Sequence, residues 1–364
     1  MRPVDEAELA GIVRGANAPL ILRGGGTRGI GTAAPGEVLD ISGLSGVRLY
    51  EPGALTLVVG AGTALAEVEA LLAAEGQRLP FDPPDMRGLL GREGVSTIGG
   101  VVAVNASGPR RVQAGACRDS LIGVRFVDGT GTVIRNGGRV MKNVTGIDLV
   151  KLMAGSHGTL GVITEVAFKV LPAPEAVATL CIAGLEDARA VAAMAAALGS
   201  PFDVTGAAHW PGRGTFLRVE GFATSVRYRA GELARVLGRF GAVEEAGAEV
   251  WQALRDVEPF HGRAGDVWRL SVTPSDAPGL VARAGAAAAL YDWGGGLVWL
   301  LVAPGVDLRG RLGAFAGHAT RVRGIGGGPA FPPEPPALAA ISAGLRAKFD
   351  PKGLFNPGLM QGAA

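Results

Sequence analysis

The residues between Gly24 and Gly29 are the first in the sequence whose spacing suggests chemistry. They match the pattern G-x-G-x-x-G and follow a short apolar strand. A Rossmann dinucleotide site needs a helix that begins inside such a loop, and Pro35 with the neighbouring glycines excludes one. The pattern therefore predicts a nest of backbone N–H groups that binds a diphosphate, with Arg23 or Arg28 adding charge. A plain flexible turn is the simpler alternative.

Two further clusters of glycine and small residues occur at 94–108 and 155–163. Small residues let a flat ligand lie against the backbone, and Thr97, Asn105 and Ser107 could form hydrogen bonds to it. The alternative for the cluster at 94–108 is a tightly packed core loop. Three such loops at strand ends favour one extended nucleotide ligand.

The elements that must position these loops indicate an α+β protein of two domains, as expected for 364 residues. A strand predicted at 162–171 ends at Pro172, so we place the first domain at 1–172. Strands and helices then repeat over 175–330, including a helix predicted at 308–319. This order fits an antiparallel sheet with helices on one face. Residues 331–364 form a proline-rich C-terminal segment with a short helix.

Composition excludes several classes of protein. A net charge of +2 is too small for a nucleic-acid-binding face. Cys117 and Cys181 are too few to hold an iron–sulfur cluster and do not suggest a disulfide framework. The acidic N-terminus has no apolar signal region, and no stretch has the ~20 apolar residues of a membrane span. We therefore expect a cytoplasmic chain that could dock on the inner membrane through partners.

Taken together, these motifs resemble the PCMH-type FAD-binding domain of the vanillyl-alcohol-oxidase family. The motifs occur in the family's order: the loop at 23–29, Pro83-Pro84-Asp85, Thr97-Ile98-Gly99-Gly100, Arg118-Asp119-Ser120-Leu121-Ile122-Gly123, Lys142-Asn143-Val144-Thr145-Gly146-Ile147-Asp148-Leu149 and Gly155-Ser156-His157-Gly158-Thr159-Leu160-Gly161-Val162-Ile163. The closing Phe349-Asp350-Pro351 and Phe355-Asn356-Pro357-Gly358 are similar to the C-terminal signature of its 2-hydroxy-acid dehydrogenase branch. Finer features resemble the FAD-binding E subunits of bacterial glycolate oxidases: Gly108-Pro109-Arg110-Arg111, Asp292-Trp293-Gly294-Gly295 and Gly317-His318-Ala319-Thr320-Arg321.

The resemblance implies that two α+β subdomains hold FAD and that a cap domain with an antiparallel sheet covers the flavin ring. It also implies which residues bind the cofactor. The pyrophosphate loop would be Arg23, Gly24, Gly25, Gly26, Thr27, Arg28, Gly29 and Ile30. The flavin, its ribityl chain and the adjoining backbone would contact Pro83, Asp85, Thr97, Gly99, Gly100, Ala103, Ser107, Gly158 and Ile163.

Two departures from the family pattern lead to further expectations. Thr27 and Arg28 stand in the first glycine loop, where members with covalent FAD commonly have histidine, so we expect non-covalent FAD. The four histidines of the chain show no metal-ligand spacing, so we expect no metal. The lack of a histidine cluster also questions whether this chain oxidises a substrate by itself.

Oxidation of a 2-hydroxy acid by FAD requires a base for the hydroxyl proton and a cation for the carboxylate. His318 is the candidate base, and Arg321 or Arg269 the candidate cation. The alternatives are a structural histidine at a helix end and arginines in surface or subunit ion pairs.

The resemblance implies partners as well: a second flavin subunit and an iron–sulfur subunit that passes electrons towards membrane quinone. Three functions remain open. The chain could oxidise glycolate to glyoxylate within that complex, it could be a non-catalytic FAD relay or assembly subunit, or it could be a stand-alone FAD dehydrogenase for D-lactate or another 2-hydroxy acid.

Overall fold

The structure is a computed structural model that describes residues 1–138, 147–325 and 328–360. The motif segment 142–146 named above lies outside the described residues. Two separate β-sheets dominate the described part of the chain, one before Pro172 and one after it.

The N-terminal portion, residues 1–172, mixes short helices and strands. Its helices are α1 (Glu6–Gly15), α2 (Leu65–Ala74), α3 (Arg87–Leu90), α4 (Ile98–Ala103), α5 (Arg111–Ala114), α6 (Cys117–Ser120) and α7 (Leu149–Met153). Its strands are β1 (Leu20–Arg23), β2 (Glu37–Asp40), β3 (Val47–Glu51), β4 (Thr56–Gly60), β5 (Gln77–Arg78), β6 (Leu121–Val127), β7 (Val133–Gly137), β8 (Val162–Lys169) and β9 (Leu171–Pro172).

Within the described residues of this portion, five strands form an antiparallel sheet in the order β3-β4-β8-β6-β7. The apolar sides of α2, α4 and α7 pack on it and bury a common core. The interior strand β4 is buried along its whole length, which explains its continuous run of apolar residues. The strands β1 and β2 pair in parallel outside this sheet.

The loop that joins β1 to β2 contains the first glycine motif. No residue from 24 to 36 is helical, so the exclusion of a Rossmann helix is confirmed. The parallel pairing of β1 with β2 holds both ends of this loop at one edge of the molecule's N-terminal portion.

The large sheet, β10–β17, follows Pro172. Its strands are β10 (Ala176–Ile182), β11 (Val204–Trp210), β12 (Gly214–Gly221), β13 (Val243–Ala246), β14 (Asp266–Val272), β15 (Ala288–Asp292), β16 (Leu297–Val302) and β17 (Gly317–Arg323). The helices between them are α8 (Asp187–Leu198), α9 (Ala223–Leu237), α10 (Val250–Asp256), α11 (Ala277–Ala284) and α12 (Leu308–Leu312). The described strands pair antiparallel in the order β13-β10-β12-β11-β15-β16-β14-β17.

The two faces of the large sheet have different partners. Helices α8, α9, α11 and α12 pack on one face and form the largest apolar cluster. The other face packs on α10 and on Met86 and Leu89 of the N-terminal portion. The predicted α+β architecture with an antiparallel sheet is therefore confirmed, and α10 is the helix that departs from the one-sided arrangement.

The helix predicted at 308–319 begins at Leu308 as expected, but its predicted end is wrong. The helix α12 ends at Leu312, and Gly313 follows with a positive φ of 68°. Residues from Gly317 onwards form β17, the edge strand that pairs with β14. The apolar spacing of this segment fits a helix or a strand, and the backbone freedom of glycine ends the helix early.

The C-terminal segment returns to the beginning of the chain. The helix α13 (Pro336–Phe349) is followed by residues that pair with β1. Leu20 donates to the carbonyl of Leu354, and Asn356 donates its backbone N–H to the carbonyl of Leu20. A parallel bridge joins Leu20 to Phe355. Residues 354–356 thus lie beside the strand that leads into the glycine loop.

Candidate functional site

A cavity of about 600 Å³ lies beside the loop between β1 and β2. It is walled by the three glycine clusters, by β8 and by the C-terminal segment. The predicted residues that line it are Arg23, Gly24, Gly25, Gly26, Thr27, Arg28, Gly29, Ile30, Thr97, Gly99, Gly100, Ala103, Gly158 and Ile163. The structure therefore brings together around one space the three loops that the sequence separates.

The first glycine loop leaves its backbone donors free. Among the described residues, none of the N–H groups from Gly25 to Gly31 donates a hydrogen bond. A Cβ atom added to Gly25 would lie 1.5 Å from the carbonyl oxygen of Val95, so only glycine permits this packing. Free N–H groups along a cavity wall fit an anion such as a diphosphate.

Arg28 supplies a buried positive charge at this loop. Its guanidinium donates to the carbonyl of Pro84 at 2.5 Å, to the Thr27 hydroxyl at 3.2 Å and to the Ser96 hydroxyl. Burial lowers its pKa to about 10, against the opposing effect of Asp85, so the group stays charged at neutral pH. Its Nε atom is buried without a partner among the described residues. The arrangement favours a negatively charged ligand.

Asn356 fixes the opposite wall of the cavity. Its Oδ1 accepts from the N–H of Leu22 at 2.9 Å, while its Nδ2 donates to the carbonyls of His157 at 2.9 Å and Gly158 at 3.5 Å. His157 also lines the cavity, and its ring meets that of Phe331 edge-on with centroids 4.8 Å apart. Burial lowers the pKa of His157 to about 4, so this ring is neutral at neutral pH.

Three residues predicted to bind the cofactor lie outside the cavity lining: Pro83, Asp85 and Ser107. Asp85 pairs with Arg87 at 2.7 Å. The Ser107 hydroxyl accepts from the N–H of Cys117 and so supports the second cluster from behind. Asn105 does the same through its side-chain oxygen, which accepts from the N–H of Arg118. Ser107 and Asn105 thus support the second cluster without lining the cavity.

The prediction missed several lining residues, among them Arg92, His157 and Asn356. His157 and Asn356 stand inside motifs that the resemblance singled out, and that was the available signal. Nothing in the sequence marks Arg92, whose guanidinium reaches the carbonyl of Gly26 at 3.4 Å.

The candidate catalytic residues lie on the large sheet. Arg269 of β14 sits opposite Thr320, and His318 sits opposite Ser271, so both side chains point to the face that meets the N-terminal portion. His318 remains exposed to solvent, but partial desolvation of its ring and the charge of Arg269 lower its pKa. These two residues are therefore neighbours on one face.

Arg321 points to the other face of the sheet. Its guanidinium lies 5.8 Å from the Trp268 ring, on the side covered by helices, and donates to the carbonyl of Gly328. Residues three apart share a face in a helix but not in a strand. Because this segment is a strand, Arg321 does not converge with His318.

The N-terminal portion and the large sheet are joined by buried ion pairs. Arg218 of β12 donates to Asp82 at 3.1 Å. Glu220 of the same strand pairs with Arg78 at 3.1 Å and with Arg110. The two parts of the molecule thus meet through charged side chains that neutralise one another.

The described residues also bear on two other kinds of site, a metal centre and a membrane span. Within residues 1–138, 147–325 and 328–360, no group of three or more His, Cys, Asp or Glu side chains could hold a metal ion. The expectation that the protein needs no metal stays a prediction. No helix in the same ranges has the length and apolar character to cross a bilayer.

The sequence is similar to those of known proteins. Residues 1–137 match the FAD binding domain model FAD_binding_4. The chain is 38% identical over 345 residues to glycolate oxidase subunit GlcE of Escherichia coli (strain K12), which covers 94% of this chain and 92% of that protein. It is 35% identical over 165 residues to glycolate oxidase subunit GlcD of Bacillus subtilis (strain 168), which covers 44% of this chain and 34% of that protein.

A solved structure has a similar fold. Alkyldihydroxyacetonephosphate synthase superposes with a TM-score of 0.73 over 98% of this chain and 76% of that chain, at 18% identity.

The free N–H groups of the glycine loop and the buried charge of Arg28 fit the diphosphate of FAD. The chain therefore belongs to the family of FAD-binding oxidoreductase subunits that includes glycolate oxidase subunit GlcE.

Proposed function

We propose that this chain is the FAD-binding subunit of a complex that oxidises glycolate to glyoxylate. The observation that carries the proposal is the 38% identity to glycolate oxidase subunit GlcE, which runs along nearly the full length of both proteins. A match of that extent includes the large sheet, where the candidate substrate residues lie, as well as the FAD binding domain.

The cofactor would lie along the cavity. Arg23 to Ile30 would hold its diphosphate through free backbone N–H groups and the Arg28 charge. Thr97, Gly99, Gly100 and Ala103 would contact the flavin and the ribityl chain. Bound non-covalently, FAD would supply the acceptor for a hydride from the Cα atom of the substrate.

The chain's own residues would position the substrate and move a proton. Arg269 would hold the carboxylate, because its guanidinium stays charged at a pKa of about 10 despite its burial. His318 would accept the hydroxyl proton, because its lowered pKa keeps the ring neutral at neutral pH. Both lie on the sheet face turned towards the N-terminal portion.

The electrons would leave through partner subunits. We propose a second flavin subunit and an iron–sulfur subunit, which would bring the chain to the cytoplasmic face of the inner membrane. The names of the relatives support a complex of several subunits, since GlcE and GlcD are both named as subunits of glycolate oxidase.

One observation favours the second candidate function, a non-catalytic FAD relay. His318 is solvent-exposed and is not among the residues that line the cavity. A base that remained distant from the flavin could not assist hydride transfer, and the second flavin subunit would then perform the oxidation.

Anaerobic titration of the FAD-loaded chain with glycolate separates the two functions. Loss of the flavin absorbance on mixing with glycolate supports catalysis by this chain, and an unchanged spectrum supports the relay. The variants R269Q and R321Q form a matched pair, because the two arginines lie on opposite faces of one sheet. We expect R269Q to slow flavin reduction at least tenfold and R321Q to leave it within twofold. Equal rates in both variants would contradict the role of Arg269.

A further inference from the structure

The indole of Trp293 lies where the two parts of the molecule meet. Its Nε1 donates to the carbonyl of Gly108 at 3.0 Å, which ties the turn after β15 to the N-terminal portion. Two guanidiniums lie against this one ring. That of Arg111, in α5, is 4.5 Å from the ring centroid, and that of Arg269, in β14, is 5.2 Å from it.

Neither of these arginines has an anionic partner. Among the described residues, Arg111 and Arg269 take part in no ion pair and donate no side-chain hydrogen bond. Three other arginines at this interface differ, because Arg78, Arg110 and Arg218 all pair with Glu220. The ion pairs at this interface neutralise the neighbouring arginines but leave Arg111 and Arg269 without a counter-ion. This pattern is expected when a ligand supplies the negative charge.

Asp292, which precedes Trp293 and acts on Arg269, does not fill that role. Asp292 is buried, and its Oδ1 accepts from the N–H of Trp293 at 2.7 Å. Burial raises the pKa of Asp292 to about 7, so the carboxyl group is only partly ionised at neutral pH. Burial and the charge of Arg111 lower the pKa of Arg269 to about 10, so both cations persist there. An excess of positive charge remains around the indole.

We propose that Arg111 joins Arg269 in binding the carboxylate of a small 2-hydroxy or 2-oxo acid, with the Trp293 ring as their common support. This inference rests on the proposed function, and it adds a binding residue from the N-terminal portion to the one from the large sheet. A guanidinium can bind a carboxylate through two parallel hydrogen bonds, and one carboxylate can accept from two guanidiniums.

The arrangement has a consequence for recognition. Each arginine is fixed by its own backbone element and by the same ring, so the two donors are oriented before the ligand arrives. A neutral analogue of the same shape offers the pair no counter-charge, and the desolvated cations would remain unpaired. The site should therefore discriminate strongly between an acid and its amide.

Oxamate and oxamide provide that comparison without turnover. Both are planar two-carbon compounds that lack an oxidisable C–H bond, but only oxamate carries a carboxylate. We would titrate each into the full-length chain, with and without FAD, and follow tryptophan fluorescence together with the flavin difference spectrum. We expect saturable binding of oxamate and at least tenfold weaker binding of oxamide.

Variants test the role of Arg111 directly. We expect R111Q and R269Q each to raise the oxamate Kd at least tenfold while the FAD content stays unchanged. R213Q is the matched control, because Arg213 lies 4.5 Å from the ring of another tryptophan, Trp210, and is exposed. If both arginines hold one carboxylate, the double variant should bind oxamate little more weakly than the worse single variant.

The outcomes separate this inference from the proposed function. An oxamate Kd for R111Q equal to that for R213Q would overturn the role of Arg111. Equal affinities of the wild type for oxamate and oxamide would do the same. Failure of the chain to take up FAD, or of glycolate to bleach its flavin, would count against the proposed function alone. The fluorescence titration of the FAD-free protein would still report on the arginine pair.

Discussion

Replacement of Asn356 by alanine should destabilise the walls of the cavity, although Asn356 lies more than three hundred residues after Leu22 in the sequence. The side chain joins Leu22 of β1 to His157 and Gly158 of the third glycine cluster by hydrogen bonds of 2.9, 2.9 and 3.5 Å. It is 5% exposed, so water does not replace these bonds readily. Both walls of the cavity thus depend on one amide group.

The expected loss of stability follows from the number of bonds. Each buried hydrogen bond contributes roughly 0.5–1.5 kcal/mol, so removal of the two short ones costs about 2 kcal/mol. Asn356 also has a φ of 44°, a conformation that asparagine tolerates better than alanine, which adds about 1 kcal/mol. We expect N356A to lower the free energy of unfolding by about 3 kcal/mol.

The measurement is urea unfolding of the FAD-free chain, followed by an FAD titration of the same samples. Asn17 offers a matched control, because it is exposed and its amide donates one 3.3 Å hydrogen bond, to the carbonyl of Gly15. N17A should change stability by less than about 0.5 kcal/mol. A value below about 1 kcal/mol for N356A, or an unchanged FAD affinity, would refute the reasoning.

Three further predictions concern other parts of the structure. G25A should raise the FAD Kd at least tenfold, because the added Cβ would meet the Val95 carbonyl at 1.5 Å and displace the loop, as a fluorescence titration would show. E220Q should destabilise the protein by about 3 kcal/mol in urea unfolding, because it uncouples buried arginines, whereas E232Q in an exposed pair should cost less than about 0.5 kcal/mol. The pKa of Asp292 is raised to about 7 in the folded chain, so wild-type stability should fall by a few kcal/mol relative to D292N between about pH 4 and pH 7.

A specific result would contradict each of these three predictions. An unchanged FAD affinity in G25A would show that the loop does not contact the cofactor. Equal effects of E220Q and E232Q would mean that the interface pairs do not stabilise the molecule. Stability curves for the wild type and D292N that run parallel over this pH range would contradict the raised pKa of the carboxyl group.

The part of the site that the sequence could predict is local. The loop after β1 is non-helical because Pro35 and its glycine neighbours act within a few residues, and the role proposed for it follows from its own composition. The same holds for Thr97, which begins α4 and lines the cavity. Signals of this kind depend on spacing along the chain, and spacing is visible in a sequence.

The part that the sequence could not predict depends on contacts between distant segments. Nothing near Leu22 indicates that Asn356 will accept from its N–H. Arg111 and Arg269 come close to each other only when the large sheet packs on the N-terminal portion. The error at β17 had a different origin, since a short apolar segment between glycines satisfies both periodicities, and pairing with β14 decided between them.

The pairing of β1 with residues 354–356 has a consequence for biosynthesis. The ribosome delivers β1 more than three hundred residues before Asn356, yet the Asn356 side chain joins β1 to the third glycine cluster. The nascent chain can form the five-stranded sheet early. Asn356 cannot join β1 to the third glycine cluster until residues 354–356 have emerged. FAD should therefore bind only after residues 354–356 have emerged, and ribosome-bound chains stalled before residue 354 should be colourless.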